Sequence, residues 1–184
     1  MADFSLRTWK TRDILVLVVI SLALVIITFA FSWVRTALVA ALGVFGHRIA
    51  SPLIILIVFT GAYIVRRPLA AIVSGLMMGL IASPFLGLAT IIGYLYGGVI
   101  AEVLLATGRY RNYSLPFMLI IGVIYNVIGV GLIWVPLQVG LLEPLAIAGV
   151  FAISIVAGLV GGWLTKWIGD SIMESGVMPI LSEQ

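Results

Sequence analysis

AYIVRRPLAAIVSGLMMGLIASPFLGLATIIGYLYGGVIAEVLLATGRYRNYSLP, residues 62–116, decides how the rest of the chain is read. Two apolar runs meet at Ser83-Pro84. Arg66 and Arg67 stand at the outer end of the first, Arg109 and Arg111 at that of the second, and one carboxylate, Glu102, lies inside the second. A helical hairpin crossing a bilayer twice keeps its charge at one water interface, and this stretch is built that way.

Composition agrees. Hydrophobic residues make up 63% of the 184 and charged residues 9%, with a mean hydropathy of +1.29. A soluble domain of this size lacks the polar coat to hide so much apolar surface, so the solvent is lipid. The chain has no cysteine, which excludes disulfides and thiolate metal sites. Arg7, Lys10 and Arg12 precede the first apolar run, but that run is too long for a signal sequence and is kept as a span, with Trp9 as an interface anchor.

A helix needs about twenty apolar residues to cross about 30 Å of hydrocarbon. On that measure the chain predicts six spans in a single all-α domain over 1–184: 14–34, 49–65, 69–82, 85–107, 116–135 and 145–168. Between the first two, 35–48 is amphipathic and reads as a loop, a re-entrant turn or a short interfacial helix. Ser83-Pro84 is expected to break the third span, and the polar tail 169–184 to lie at the interface. Six crossings put Arg7, Lys10, Arg12, Arg66, Arg67, Arg109, Arg111 and Lys166 on one side, leaving Arg35 and Arg48 on the other. The positive-inside rule then places both termini in the cytoplasm of a plasma-membrane protein. The pI near 9.5 reports this leaflet matching; no basic face is interleaved with soluble surface as nucleic-acid binding requires.

Helix association in lipid relies on close backbone approach. Gly75-x-x-x-Gly79, Gly93-x-x-x-Gly97 and Gly158-x-x-x-Gly162 supply smooth faces, for packing within the chain or, at Gly75 and Gly79 beside Arg66 and Arg67, for docking a membrane subunit. No phosphate loop of the form G-x-x-x-x-G-K-[ST] occurs, so ATP hydrolysis would fall to a partner. One histidine and scattered carboxylates suit neither a metalloprotease nor a metal cage, and no cofactor or enzymatic activity is expected.

The polar residues inside the spans carry what chemistry there is. Glu102 costs about 2.5 kcal/mol or more to bury and must face a partner or a cavity. Near the Arg66 end it reads as an ion pair or hydrogen-bond clamp with Arg66, Arg67 or Arg109, or as a ligand residue. Tyr94 shares its helix face, whereas Tyr96 points elsewhere. Asn126 with Tyr125, and Trp134 with Gln138, are candidates for an outward-opening pocket or for bridges between helices. His47, Arg48 and Arg35 would sit at its mouth or anchor headgroups.

The runs WKTRDILVLVVIS, AYIVRRPLAAIVS, AEVLLATGRYRNYSLP and KWIGDSIMESGV, in order and at matching spacing over nearly the whole chain, resemble the YkoE-type substrate-binding S components of energy-coupling factor (ECF) transporters. The resemblance implies a six-helix bundle that captures a vitamin or vitamin precursor from outside, thiamine or hydroxymethylpyrimidine first. It also implies a transmembrane coupling subunit and two ATPases as partners. The chain departs from that family's pattern at Gly75, Ala82 and Tyr96, where the thiamine-linked members carry carboxylates and an amide, which leaves an aromatic face as the option for a thiazolium cation. A different small heterocycle, or a membrane scaffold without a small ligand, are the other readings these residues allow.

Overall fold

The computed structural model describes Trp9 and residues 11–175. All regular structure among them is helical: α1 Thr11–Leu42, α2 Val44–Ile49, α3 Ser51–Val65, α4 Ala70–Leu86, α5 Ala89–Thr107, α6 Leu115–Ile133 and α7 Pro144–Glu174, with a 3-10 turn at Val139–Leu141. Five stretches are long and apolar enough to cross a membrane: Asp13–Leu42, Val44–Val65, Ala89–Thr107, Leu115–Ile133 and Pro144–Glu174. The 17 residues of α4 fall short of that length; at about 1.5 Å per residue they rise roughly 26 Å.

The bundle is inside out relative to a water-soluble one. Val19, Trp33, Phe85, Leu88 and Ile92 face outward at 66–78% exposure, while Asp13, Arg48, Glu102 and Asn126 are buried. In water that arrangement would forfeit hydrophobic free energy on every outer face; in hydrocarbon it costs nothing there, and polar groups find partners only inside. α3 is the axis. Phe59, Tyr63, Ile55 and Val58 are essentially inaccessible and pack with Leu17 of α1, Ala71 of α4, Leu105 of α5 and Met118 of α6.

Three boundaries differ from the expectation. The first helix does not stop at 34: it runs to Leu42, because Thr36 returns its hydroxyl to the Ser32 carbonyl at 2.9 Å and Arg35 finds a partner at His47. It ends at Gly43, whose φ of 56° belongs to the left-handed region that suits glycine. The short helix α2 then occupies the segment left open by the sequence. Second, Pro84 does not break the fourth helix. It sits in the last turn, where few backbone bonds are at stake, and the Leu80 carbonyl it would have bonded takes the Ser83 hydroxyl instead, at 3.0 Å. The chain turns at Gly87, φ 89°. Third, α7 continues through 169–174. The expectations for Arg7, Lys10 and the tail beyond 175 lie outside the described residues.

The glycine pairs work within the chain. Side chains at Gly75 or Gly79 would collide with the backbone of α5 at Tyr94 and Ile91, and at Gly158 or Gly162 with the backbone of α6 at Val123 and Met118. Of the third pair, Gly97 is packed under the Tyr125 hydroxyl, while the Cα of Gly93 borders open space.

Candidate functional site

Polar side chains gather at the two ends of the bundle. At the end where α1 begins, the α3–α4 turn carries left-handed φ values at Arg66 (50°) and Leu69 (68°). These are strained for residues with a Cβ, so something must hold the turn. Glu102 of α5 does: its carboxylate accepts the Leu69 and Ala71 N–H groups at 2.5 and 3.0 Å and the Tyr110 hydroxyl at 2.7 Å. It therefore satisfies two N–H groups that a helix start leaves without intrahelical partners. Of the two readings its depth allowed, clamp or ligand residue, the geometry is that of a clamp, and its partners are backbone amides and a tyrosine, not the arginines expected. Burial, then the bond to Glu102, pushes the Tyr110 phenol above its ordinary range; burial does the same to Tyr113.

The arginines have other work. Arg67 pairs through Nε with Asp13 at 2.8 Å. The Arg66 guanidinium lies over the rings of Tyr113 and Tyr63, 4.9 and 5.3 Å from their centroids. Tyr63 donates to Asp170 at 2.5 Å, and Lys166 donates to the same carboxylate at 2.8 Å. This end is a closed electrostatic set tying α1, α3, α4, α5 and α7 together.

The other end is open. Between α1, α3, α5 and α6 lies a cavity of about 890 Å³, inside the range of about 300–1,000 Å³ typical of small-molecule sites. One wall is a hydroxyl stripe on α1, Thr28, Ser32 and Thr36 at four-residue spacing, with Arg35 beside it. The facing walls carry Tyr94 of α5 and Tyr125 of α6, and Phe31 completes the aromatic lining. Among the described residues, no Asp or Glu lines it.

Of the polar and aromatic residues singled out in the sequence, Arg35, His47, Tyr94 and Tyr125 line this cavity. Asn126 stands behind it, bordering an adjacent space of about 170 Å³. Its amide donates to the Ser51 hydroxyl at 2.9 Å, and its Oδ1 and carbonyl oxygen accept from Arg48, both at 3.2 Å, so it bridges α6 to the α2–α3 junction. Tyr96 is 43% exposed on the outer face of α5. Trp134 and Gln138 belong to the turn after α6, and neither lines the cavity, whereas Pro136 and Leu137 between them do. Glu102, Arg66, Arg67, Gly75 and Gly79 lie away from it, the two glycines against α5. Sequence reasoning missed the hydroxyl stripe. Its signal was present: three Ser or Thr at i, i+4 and i+8 in an otherwise aliphatic helix mark one face.

A protein-family model described as the permease component of an ABC-type cobalt transport system matches residues 12–128. The chain is 25% identical over 184 residues to YkoE of Bacillus subtilis (strain 168), which carries an HMP/thiamine permease designation; the match covers 94% of this chain and 89% of that protein. A solved S component of an ECF transporter superposes with a TM-score of 0.78 at 24% identity, covering 93% of this chain and 89% of the other. The fold is thus that of an ECF S component.

Proposed function

The chain belongs to the family of permease components of ABC-type cobalt transport systems, and from that membership we propose that it is the substrate-capturing membrane subunit of an ECF-type importer. In this reading six helical segments cross the plasma membrane with both termini in the cytoplasm. The short α4 completes its crossing as the partner of α5 in an antiparallel hairpin, and the Arg66, Arg67, Arg109 and Arg111 end faces inward by the positive-inside rule. The cavity end then faces outward, where a nutrient is met.

The observation that carries the proposal is the 890 Å³ space, largely aliphatic, with aromatic rings and a hydroxyl stripe on its walls. Its chemistry favours a small organic heterocycle over the metal ion in the family's description. A divalent cation prefers several carboxylate, imidazole or thiolate donors; here one imidazole stands between two guanidinium groups, which repel a dication. The YkoE relative makes hydroxymethylpyrimidine and thiamine the first ligands to try. With no phosphate loop in the sequence, transport energy comes from partner ATPases acting through a coupling subunit.

The test is to purify the chain in detergent, identify co-purifying small molecules, and titrate a vitamin panel by tryptophan fluorescence. Saturable binding of a thiamine-related heterocycle that weakens on Tyr94→Ala is the expected result. A chain that binds no member of the panel, yet assembles with a coupling subunit, would be a scaffold instead.

A further inference from the structure

Arg48 is a cation without a counter-ion. It is 3% exposed, and its neighbours are neutral: the Asn126 carbonyl and Oδ1 at 3.2 Å, the Gly129 carbonyl at 3.4 Å and the His47 ring at 3.1 Å. Its Nε has no hydrogen-bond partner. Among the described residues the two ion pairs, Arg67–Asp13 and Lys166–Asp170, are both at the opposite end of the bundle. Burying an unpaired charge is costly.

His47 compounds the imbalance. Arg35 approaches its Nε2 at 2.9 Å and Arg48 its Nδ1 at 3.1 Å. A neutral imidazole has one acceptor nitrogen and an imidazolium none, so His47 accepts from at most one of the two arginines. The other guanidinium faces an N–H and is left with donor capacity and positive charge. Both Arg35 and His47 line the large cavity, and Arg48 lies directly behind the His47 ring in the adjoining space. Two guanidinium groups about one imidazole, in a low-dielectric setting with no carboxylate among the described residues of the lining, form a receptor for an oxyanion.

We propose that the cavity takes a small heteroaromatic molecule bearing an oxyanion, a carboxylate or a phosphate ester, with the oxyanion at Arg35 and the His47 ring, which the Arg48 charge backs from the adjoining space, and the ring toward Phe31, Tyr94 and Tyr125. This rests on the substrate-capture reading and narrows it: the anionic form of a heterocycle is preferred to its neutral form, and a cation such as thiamine is the weakest of the three.

The experiment is calorimetric titration of the full chain in detergent with matched pairs: hydroxymethylpyrimidine against its phosphate monoester, and nicotinamide against nicotinate, with thiamine as the cation. The anionic member of at least one pair should bind at least tenfold tighter than its neutral partner. Which pair shows the gap tells a phosphate ester from a carboxylate. The gap should vanish in Arg35→Gln, with the neutral member's binding and the melting temperature of the empty protein reporting that the fold is kept, and be partly kept in Arg35→Lys. Equal binding of neutral and anionic members, or a gap that survives Arg35→Gln, would overturn the oxyanion site while leaving the capture reading in place. Loss of the anion's binding on adding phosphatidylglycerol would assign the cations to a lipid headgroup and likewise overturn a soluble ligand. If no compound binds, the capture reading fails and the oxyanion site with it.

Discussion

Glu102→Gln should destabilise the protein without touching the cavity. The substitution keeps the volume and one oxygen. That oxygen can still accept from Leu69 N–H and the Tyr110 hydroxyl, as Oε1 does now at 2.5 and 2.7 Å. The new amide nitrogen then faces the Ala71 N–H, donor against donor, where Oε2 now accepts at 3.0 Å. Flipping the amide only moves the conflict to Leu69. One buried hydrogen bond to a charged acceptor is lost and its donor is stranded, a cost of about 2–3 kcal/mol. For a chain of this size that is a fall of about 4–12 °C in melting temperature, read from thermal unfolding in detergent by tryptophan fluorescence. Tyr110→Phe removes only the third, less buried bond and should cost about 1 kcal/mol. Ligand affinity should be unchanged in both, since the carboxylate is at the other end of the bundle. A Glu102→Gln melting curve within a degree of wild type would refute the clamp.

Asn126→Leu breaks the bridge to Ser51 and the Oδ1 contact to Arg48, leaving only the backbone carbonyl to that guanidinium; it should lower stability by about 1–3 kcal/mol, visible as a lower melting temperature before any ligand is added. Gly158→Val drives a side chain into the α6 backbone at Val123, and because backbone cannot step aside, a loss of about 1–3 kcal/mol or more is expected in the same assay, whereas Gly93→Ala, bordering open space, should be near neutral for stability. The raised Tyr110 phenol sets a sign for alkaline pH. Its folded-state pKa lies above the unfolded value, so its stabilising contribution is complete below about pH 10 and is lost as pH rises beyond it; Tyr110→Phe should flatten that limb of a melting-temperature profile.

Much of the fold was legible because lipid makes hydropathy and charge placement unusually informative. The turn at Arg66–Pro68 and the hairpin joined near residue 84 follow from counting apolar residues between charges; the same count put Glu102 near the Arg66 end but left a clamp and a ligand role both open. What escaped had local causes. Pro84 looked like a break because a sequence shows the missing N–H but not the Ser83 hydroxyl that takes over its acceptor. The end of α1 was placed at 34 because Arg35 lowers hydropathy, yet that side chain lines a cavity and meets His47, so the helix has no reason to stop. Trp134 and Gln138 were chosen as polar or aromatic residues near a helix end, but side-chain direction in a turn cannot be read from spacing. Tyr94 and Tyr96 differ only by the helical phase of two positions, which sends one to the cavity and the other outward.

The two ends divide the chain's charge in a way that bears on both stability and binding. Among the described residues, Asp13, Glu102 and Asp170 all lie toward the Arg66 end, each engaged by a donor within 3 Å. Toward the His47 end the carboxylate available is Glu143, exposed at the start of α7. Arg35 and Arg48 therefore have no internal neutralisation to draw on, while the acids of the opposite end are already engaged. Evolution of a tighter fold would place an acid beside Arg48. Introducing one, as in Gly129→Asp where a Cβ would approach the Arg48 guanidinium at 3.4 Å, should supply the missing counter-charge. If the oxyanion site is real, that variant competes with the ligand: anion affinity falls at least tenfold while the melting temperature of the empty protein holds or rises. Should affinity for anionic and neutral compounds fall together, Gly129 is needed for shape alone and the charge argument does not hold.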